Sequence, residues 1–265
     1  MSEPMKTISC VIPCFNCEDT LDRAVQSILA QTSEVDEIVL VDDRSTDATW
    51  LAITSLAERH GRIIPVRLDQ NSGPSVARNA GWEIATSDWI AFLDADDTWH
   101  PQKIDLVRKA AALVPSAGLF GHLVDVRNPK TLIMEETFSS GDLQSTLAEI
   151  SPLKFKLFNQ FSTPTVVLRR DTPFRFDETM RFAEDYLLWS TLVLSGVVCV
   201  KLELPLGSLY KARYGEGGLS GQTSDMRVGE IKALQKLKDM GLLTSAEHFA
   251  LNLFWFLKYL RRVFL

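Results

Sequence analysis

Carboxylates arranged in short runs are the chemically suggestive residues of this chain. Asp94-Ala95-Asp96-Asp97 comes directly after the apolar stretch Ile90-Ala91-Phe92-Leu93. Acids crowded at the end of a buried strand repel one another unless a cation sits among them. A hard divalent ion, Mn²⁺ or Mg²⁺, suits such oxygen ligands and keeps coordination sites open for phosphate oxygens. The alternative is that they cap the helix starting near Pro101, which uses one aspartate and leaves the others unexplained. Asp42-Asp43, with Ser45 and Asp47, is a second acidic run. It can accept hydrogen bonds from a nucleobase or ribose, or cap the following helix; both hold if Asp47 caps and Asp43 binds. Glu184-Asp185 stands before an apolar run. A carboxylate there can take a proton from a reacting hydroxyl, or simply favour the positive end of a helix.

The elements that must position these residues follow from hydrophobic periodicity. Strands are expected at Thr7–Pro13, Glu37–Val41, Ile63–Leu68 and Asp88–Leu93, alternating with helices at Thr20–Gln31, Asp47–His60 and Ser75–Ala85. Such repeated units imply a Rossmann-like α/β fold, a mostly parallel sheet with helices on both faces. Ligands of these sheets bind beyond the carboxyl ends of the strands. All four exits are polar, and two are the aspartate runs. Further along, a helix is expected at Pro101–Leu113, strands at Gly118–Val126, Thr165–Arg169 and Val197–Leu202, and an amphipathic helix at Ala183–Ser195. Residues 127–162 read as irregular with one short helix near Leu143–Ile150. Tyr210–Gly221 is a glycine-rich loop that is either simply solvated or brings Lys211 or Arg213 over bound phosphate groups. Two C-terminal helices, Ser224–Met240 and Ser245–Phe264, close the chain. The division expected is residues 1–99 and 100–222 as two halves of one domain, and 223–265 as a helical extension.

Four blocks together carry a family resemblance. Val11-Ile12-Pro13-Cys14-Phe15-Asn16, Val41-Asp42-Asp43-Arg44-Ser45-Thr46-Asp47, Asn71-Ser72-Gly73-Pro74-Ser75-Val76-Ala77-Arg78-Asn79-Ala80-Gly81 and Phe92-Leu93-Asp94-Ala95-Asp96-Asp97 resemble glycosyltransferase family 2 in order and spacing. Glu184-Asp185-Tyr186-Leu187-Leu188-Trp189 resembles its acceptor-side signature. The resemblance implies a glycosyltransferase A-type fold, with residues 1–99 the nucleotide-sugar-binding half and 100–222 the acceptor-binding half, and inverting, metal-dependent sugar transfer from a nucleotide-sugar, with a UDP-sugar the expected donor. Pro13, Phe15 and Asp43 match positions lining the base, with Glu18 near the same pocket. Arg78 matches a position facing the nucleotide. Asp94 and Asp96 form the Asp-X-Asp element that holds ribose and metal, and Asp97 can share the Mn²⁺ or Mg²⁺ with Asp96. Asp185 matches the catalytic base. Arg44 departs from the pattern, where the family usually has glycine or a small polar residue.

Bulk properties bound this reading. With 46% hydrophobic and 23% charged residues the chain is an ordinary globular one. Its net charge of −6 argues against nucleic acid as a partner. Met1–Lys6 is too short and mixed for a signal peptide, and no run approaches the roughly 20 apolar residues of a span, so a cytoplasmic location is expected. Cys10, Cys14, Cys17 and Cys199 read as reduced thiols without a special role. Residues 251–265 are apolar and aromatic with three basic residues. They either lie at a membrane interface, as a lipid-linked acceptor at the inner face would suit, or pack on protein. Trp99 can either contact sugar or fill the core, and His100 is expected at the surface or as a cap. The expected partners are the donor and a glycan or lipid-linked acceptor. The rival readings are a sugar nucleotidyltransferase, whose basic glycine-rich loop is missing after the first strand, and a catalytically degenerate nucleotide-sugar-binding protein.

Overall fold

The computed structural model describes residues 5, 7–126, 137–210 and 223–264. In chain order the elements are β1 (Ile8–Cys14), α1 (Leu21–Leu29), β2 (Glu37–Asp42), α2 (Thr49–Arg59), β3 (Ile63–Arg67), α3 (Pro74–Ile84), β4 (Trp89–Phe92) and β5 (Thr98–Trp99). Then follow α4 (Lys103–Leu113), β6 (Leu119–Val126), α5 (Ser140–Thr146), β7 (Leu147–Glu149), α6 (Pro152–Leu157) and β8 (Val167–Arg169). The chain ends with α7 (Glu184–Leu194), β9 (Cys199–Leu209), α8 (Thr223–Asp239) and α9 (Ser245–Phe264). The strands form one sheet in the order β3-β2-β1-β4-β8-β6-β9-β5, with β7 also pairing with β9.

The first half of the sheet is parallel, with Val11 of β1 level with Val39 of β2 and Phe92 of β4. Beyond β4 the sheet is mixed: β8 runs antiparallel to both β4 and β6, while β6 and β9 are parallel. Helices cover both faces, so β1, β2 and β4 read as continuous apolar runs. Alternate residues nevertheless point to opposite sides. Cys10, Ile12, Ile38 and Leu40 pack with Leu21, Ile28, Ile53, Ile104 and Val107 from α1, α2 and α4. Val11, Val39, Val41 and Phe92 pack with Trp82, Leu187, Trp189 and Ala233 from α3, α7 and α8.

Gly81 sets the seating of α3. A Cβ there would stand 2.4 Å from Val11 Cγ1, so the helix lies closer to the sheet than any larger residue permits. Arg78, one turn earlier, is thereby held over the strand ends.

Helix α7 differs from its expected amphipathic character. Tyr186 through Val193 are all buried, because α7 is covered by the sheet on one side and by other helices on another. Its few polar positions, Ser190 and Thr191, are buried too. β9 also runs longer than expected. Pro205 lies opposite Leu123 beside a register shift, where the ladder tolerates a residue lacking an N–H donor. The short helix expected near Leu143–Ile150 is instead α5 over Ser140–Thr146, and Leu147–Glu149 pairs with β9 as β7; β5 and α6 are elements that periodicity did not pick out.

Candidate active site

The loops after β1, β2, β3 and β4 converge with the start of α7 around one cleft of about 1020 Å³. Pro13, Phe15, Glu18, Asp43, Arg78, Asp94, Asp96, Asp97 and Asp185 all line it. The nine residues singled out in the sequence therefore share one cavity.

At the β1 and β2 exits, two loops bind each other. Asn16 donates its backbone N–H to Ser45 Oγ at 3.0 Å, and its side-chain oxygen accepts from the Thr46 N–H at 2.9 Å. The Glu18 carboxylate accepts from the Ala48 N–H at 2.7 Å, and Asp47 accepts from the Thr49 N–H at 3.0 Å. Glu18 and Asp47 thus cap the start of α2 between them. Arg44 sits between the strand and this cap with φ +61°, in the left-handed region. That backbone explains why a glycine suits the position. Phe15 leaves its ring 48% exposed at the cleft wall.

Asp42 and Asp43 divide their work. Asp42 is fully buried, with Arg67 Nε at 2.9 Å and the Ser45 N–H at 3.0 Å. Asp43 accepts the backbone N–H groups of Ser72 and Gly73, each at 2.7 Å, through separate carboxylate oxygens. Its carbonyl accepts from Asn71 Nδ2 at 3.1 Å. Asp43 therefore fixes the β3–α3 loop, and each of its carboxylate oxygens keeps a further lone pair. Gly73 has φ +90°, which only glycine adopts without strain, so this loop can turn directly into Pro74 and α3.

Asp94 to Asp97 form a tight turn, closed by the Asp97 N–H donating to the Asp94 carbonyl at 3.1 Å. Arg23 donates to the Asp96 carbonyl at 2.6 Å while its guanidinium lies 3.8 Å over the Tyr210 ring. Among the described residues, no three Asp, Glu, His or Cys side chains gather as a ready metal-ligand set.

Arg78 joins the two ends of the cleft. Its buried guanidinium donates to Asp94 at 2.9 Å and to Glu184 at 3.1 Å. Burial opposes its charge, but Asp94 and Glu184 hold it protonated beyond the ordinary arginine range. Ala183, with φ +58°, turns the chain sharply into α7 and aims Glu184 and Asp185 at the cleft. Burial, reinforced by the adjacent Asp185 charge, pushes the Glu184 carboxyl up to about 7. Arg78, already shared with Asp94, returns too little to offset that cost. Burial also raises the Asp185 carboxyl above its ordinary value, against the lowering effect of the Tyr186 N–H. Asp185 accepts that N–H at 2.6 Å and the side-chain N–H of Asn159 at 3.2 Å.

Glu184 as the arginine's second partner and Asn159 as the aspartate's orienting donor were not assigned from sequence. Asn159 lies in a stretch without a motif, so only its spatial neighbour reveals it. Trp99 is buried and donates to the Pro164 carbonyl at 2.9 Å, which places it in the core rather than on the cleft wall. His100 is also buried, and accepts from the Gln102 N–H at the approach to α4, a capping role. The four cysteines are free thiols. Lys211 and Arg213 lie outside the described residues.

Known proteins resemble this chain in sequence and in fold. The model of the family described as glycosyl transferase family 2 matches residues 9–170. Succinoglycan biosynthesis protein ExoO of Rhizobium meliloti (strain 1021) is 32% identical over 227 residues, 80% of this chain and 62% of that relative. UDP-Glc:alpha-D-GlcNAc-diphosphoundecaprenol beta-1,3-glucosyltransferase WfaP of Escherichia coli is 28% identical over 253 residues, 95% of this chain and 93% of its own. The chain thus spans less than two thirds of the first relative and nearly all of the second. Among solved structures, S. aureus TarS 1-349 in complex with UDP-GlcNAc matches with a TM-score of 0.69 at 20% identity, covering 93% of this chain and 70% of TarS 1-349. That likeness shows a shared fold.

Proposed function

The chain belongs to glycosyl transferase family 2, and from that premise we propose an inverting enzyme that moves a sugar from a UDP-sugar to an acceptor hydroxyl in surface-polysaccharide or lipid-linked glycan synthesis. The observation that carries this reading is the Asp94–Arg78–Glu184 chain of contacts, which ties the strand-end acids to the helix that presents Asp185. Pro13 and the exposed Phe15 ring offer a platform for the base. Asp43 has lone pairs left to accept a base N–H, with Glu18 beside the same pocket. Asp94 and Asp96 suit ribose hydroxyls.

A Mn²⁺ or Mg²⁺ ion bound by Asp96 and Asp97 would supply Lewis-acid stabilisation of a leaving diphosphate. Such ions commonly rest on one or two carboxylates and complete their shell with phosphate oxygens and water, which fits the sparse acids of this turn. Arg78 would add a fixed positive charge nearby.

In the transfer, the acceptor oxygen bonds to the anomeric carbon as the bond from that carbon to the diphosphate oxygen breaks. The electron pair leaves with UDP, and the acceptor proton passes to Asp185. A carboxyl raised by burial is a better proton acceptor than an ordinary surface aspartate. Direct displacement by one attacking oxygen inverts the anomeric centre. The relatives support this direction: WfaP is named for a UDP-Glc donor and a diphosphoundecaprenol-linked acceptor, and ExoO for succinoglycan biosynthesis. On this reading the enzyme works in the cytoplasm at the inner face of the membrane.

The test is calorimetric binding of UDP, GDP and dTDP, each with and without Mn²⁺, on wild type and two variants. UDP should bind in a metal-dependent way; Asp96→Asn should lose that dependence, and Asp185→Asn should bind normally yet fail to transfer. Equal loss of binding in both variants would overturn the division of roles, and no binding to any nucleotide would overturn the donor site.

A further inference from the structure

We propose that the outward face of α9 docks on a lipid bilayer bearing anionic headgroups, and that this docking presents the Asp185 end of the cleft to the membrane surface. The proposal deepens the reading of a lipid-linked acceptor and rests on it. Phe249, Leu253, Phe256 and Leu257 are 72%, 51%, 45% and 56% exposed. Their spacing of four, three and one residues places them on one side of the helix. The opposite side is anchored to the protein body. Leu251 and Trp255 are buried, Trp255 lies 5.1 Å from the Tyr186 ring, and its indole N–H donates to the Lys156 carbonyl. The exposed row is therefore not a helix that has failed to pack. Its inner face is already satisfied.

Charge selects the occupant. From His248 to Leu265 the sequence has three cations, Lys258, Arg261 and Arg262, and no acid, on a chain whose net charge is −6. A local basic segment joined to an apolar row matches a surface that is anionic outside and apolar beneath. Lys258 sits on the flank of α9 nearer the protein body, with its ammonium over the Trp255 and Phe158 rings. Among the described residues no helix is long and apolar enough to cross a membrane, so α9 would lie in the interface.

The face is also continuous with the proposed acceptor end. Phe158, half-exposed just after α6, meets Phe254 of α9 edge-on at 5.9 Å. The next residue, Asn159, donates to Asp185. One step along the chain thus leads from the apolar face to the proposed base. A glycan on a lipid anchor would begin at the bilayer surface, close to the group that must deprotonate it.

The experiment is co-sedimentation of the full chain with vesicles of phosphatidylethanolamine and phosphatidylglycerol, against pure phosphatidylcholine, at low and high salt. Wild type should sediment with the anionic vesicles, less so at high salt. Leu253→Ser/Phe256→Ser should reduce partitioning by about tenfold or more, as two large side chains no longer enter the bilayer. Its thermal midpoint and UDP binding should remain those of wild type, since both residues point away from the body and the cleft. Wild type left in the supernatant, or a double variant that binds as well as wild type, overturns the proposal. So does light scattering that shows a dimer dissolved by the same substitutions, which would assign the face to a second copy. UDP binding separates the two readings: its absence in wild type defeats the donor site whatever the vesicles show.

Discussion

The Arg78–Glu184 pair makes a quantitative prediction about stability and pH. A buried acid whose carboxyl is raised from 4.5 to about 7 holds its proton in the folded state after the unfolded chain has lost it. Stability therefore falls as pH rises from 4.5 through about 7, by roughly 3 kcal/mol in all, and is flat above. Replacing Arg78 by Met removes the cation that permits ionisation at 7, so the Glu184 carboxyl stays protonated to higher pH. At pH 8 the variant has therefore lost more stability to Glu184 than wild type has. The additional deficit is on the order of 1 kcal/mol at pH 8 and close to zero at pH 5, where Glu184 is protonated in both proteins. A pH-independent loss on the order of 3 kcal/mol accompanies it, because Asp94 and Glu184 both lose a hydrogen-bonded partner. Urea unfolding followed by tryptophan fluorescence at pH 5 and pH 8 reads both parts. Arg78→Met/Glu184→Gln should remove the pH-dependent part and keep a pH-independent one. If Arg78→Met is equally destabilised at the two pH values, Arg78 does not set the ionisation of Glu184 and the argument fails.

Two further predictions concern backbone and base. Arg44→Gly should raise the thermal midpoint slightly: relief of left-handed strain, about 1–2 kcal/mol, exceeds the roughly 0.5–1 kcal/mol of added unfolded-chain entropy. A lower midpoint would mean that the Arg44 side chain contributes contacts of its own. Asn159→Ala should move the acidic limb of the kcat/KM profile to higher pH, because the lost N–H donor favours the charged form of Asp185. An unmoved limb in an active variant would remove Asn159 from the base.

The donor half was legible because its physics is local. β1, β2 and β4 are apolar on both faces, so their ends are abrupt and the polar exits stand out against them. What could not be read was how acids at those exits are spent. Asp42 and Asp43 are neighbours of identical type, yet one is neutralised by Arg67 in the core and the other binds two backbone N–H groups of a loop 29 and 30 residues on. The same limit hid Glu184 and Asn159, whose partners are 106 and 26 residues away. Helix α7 misled for a related reason. Periodicity reports a boundary between core and solvent, and a helix covered on more than one side has none to report. Arg44 shows the converse case. Its departure from glycine is visible in sequence, but only φ +61° shows what glycine would supply there, a left-handed backbone without strain. The cleft is thus assembled from residues whose types are fixed by local rules and whose roles are fixed by distant partners. That is why Arg78, which touches both the strand-end acids and the helix of the proposed base, is the position where perturbation is most informative.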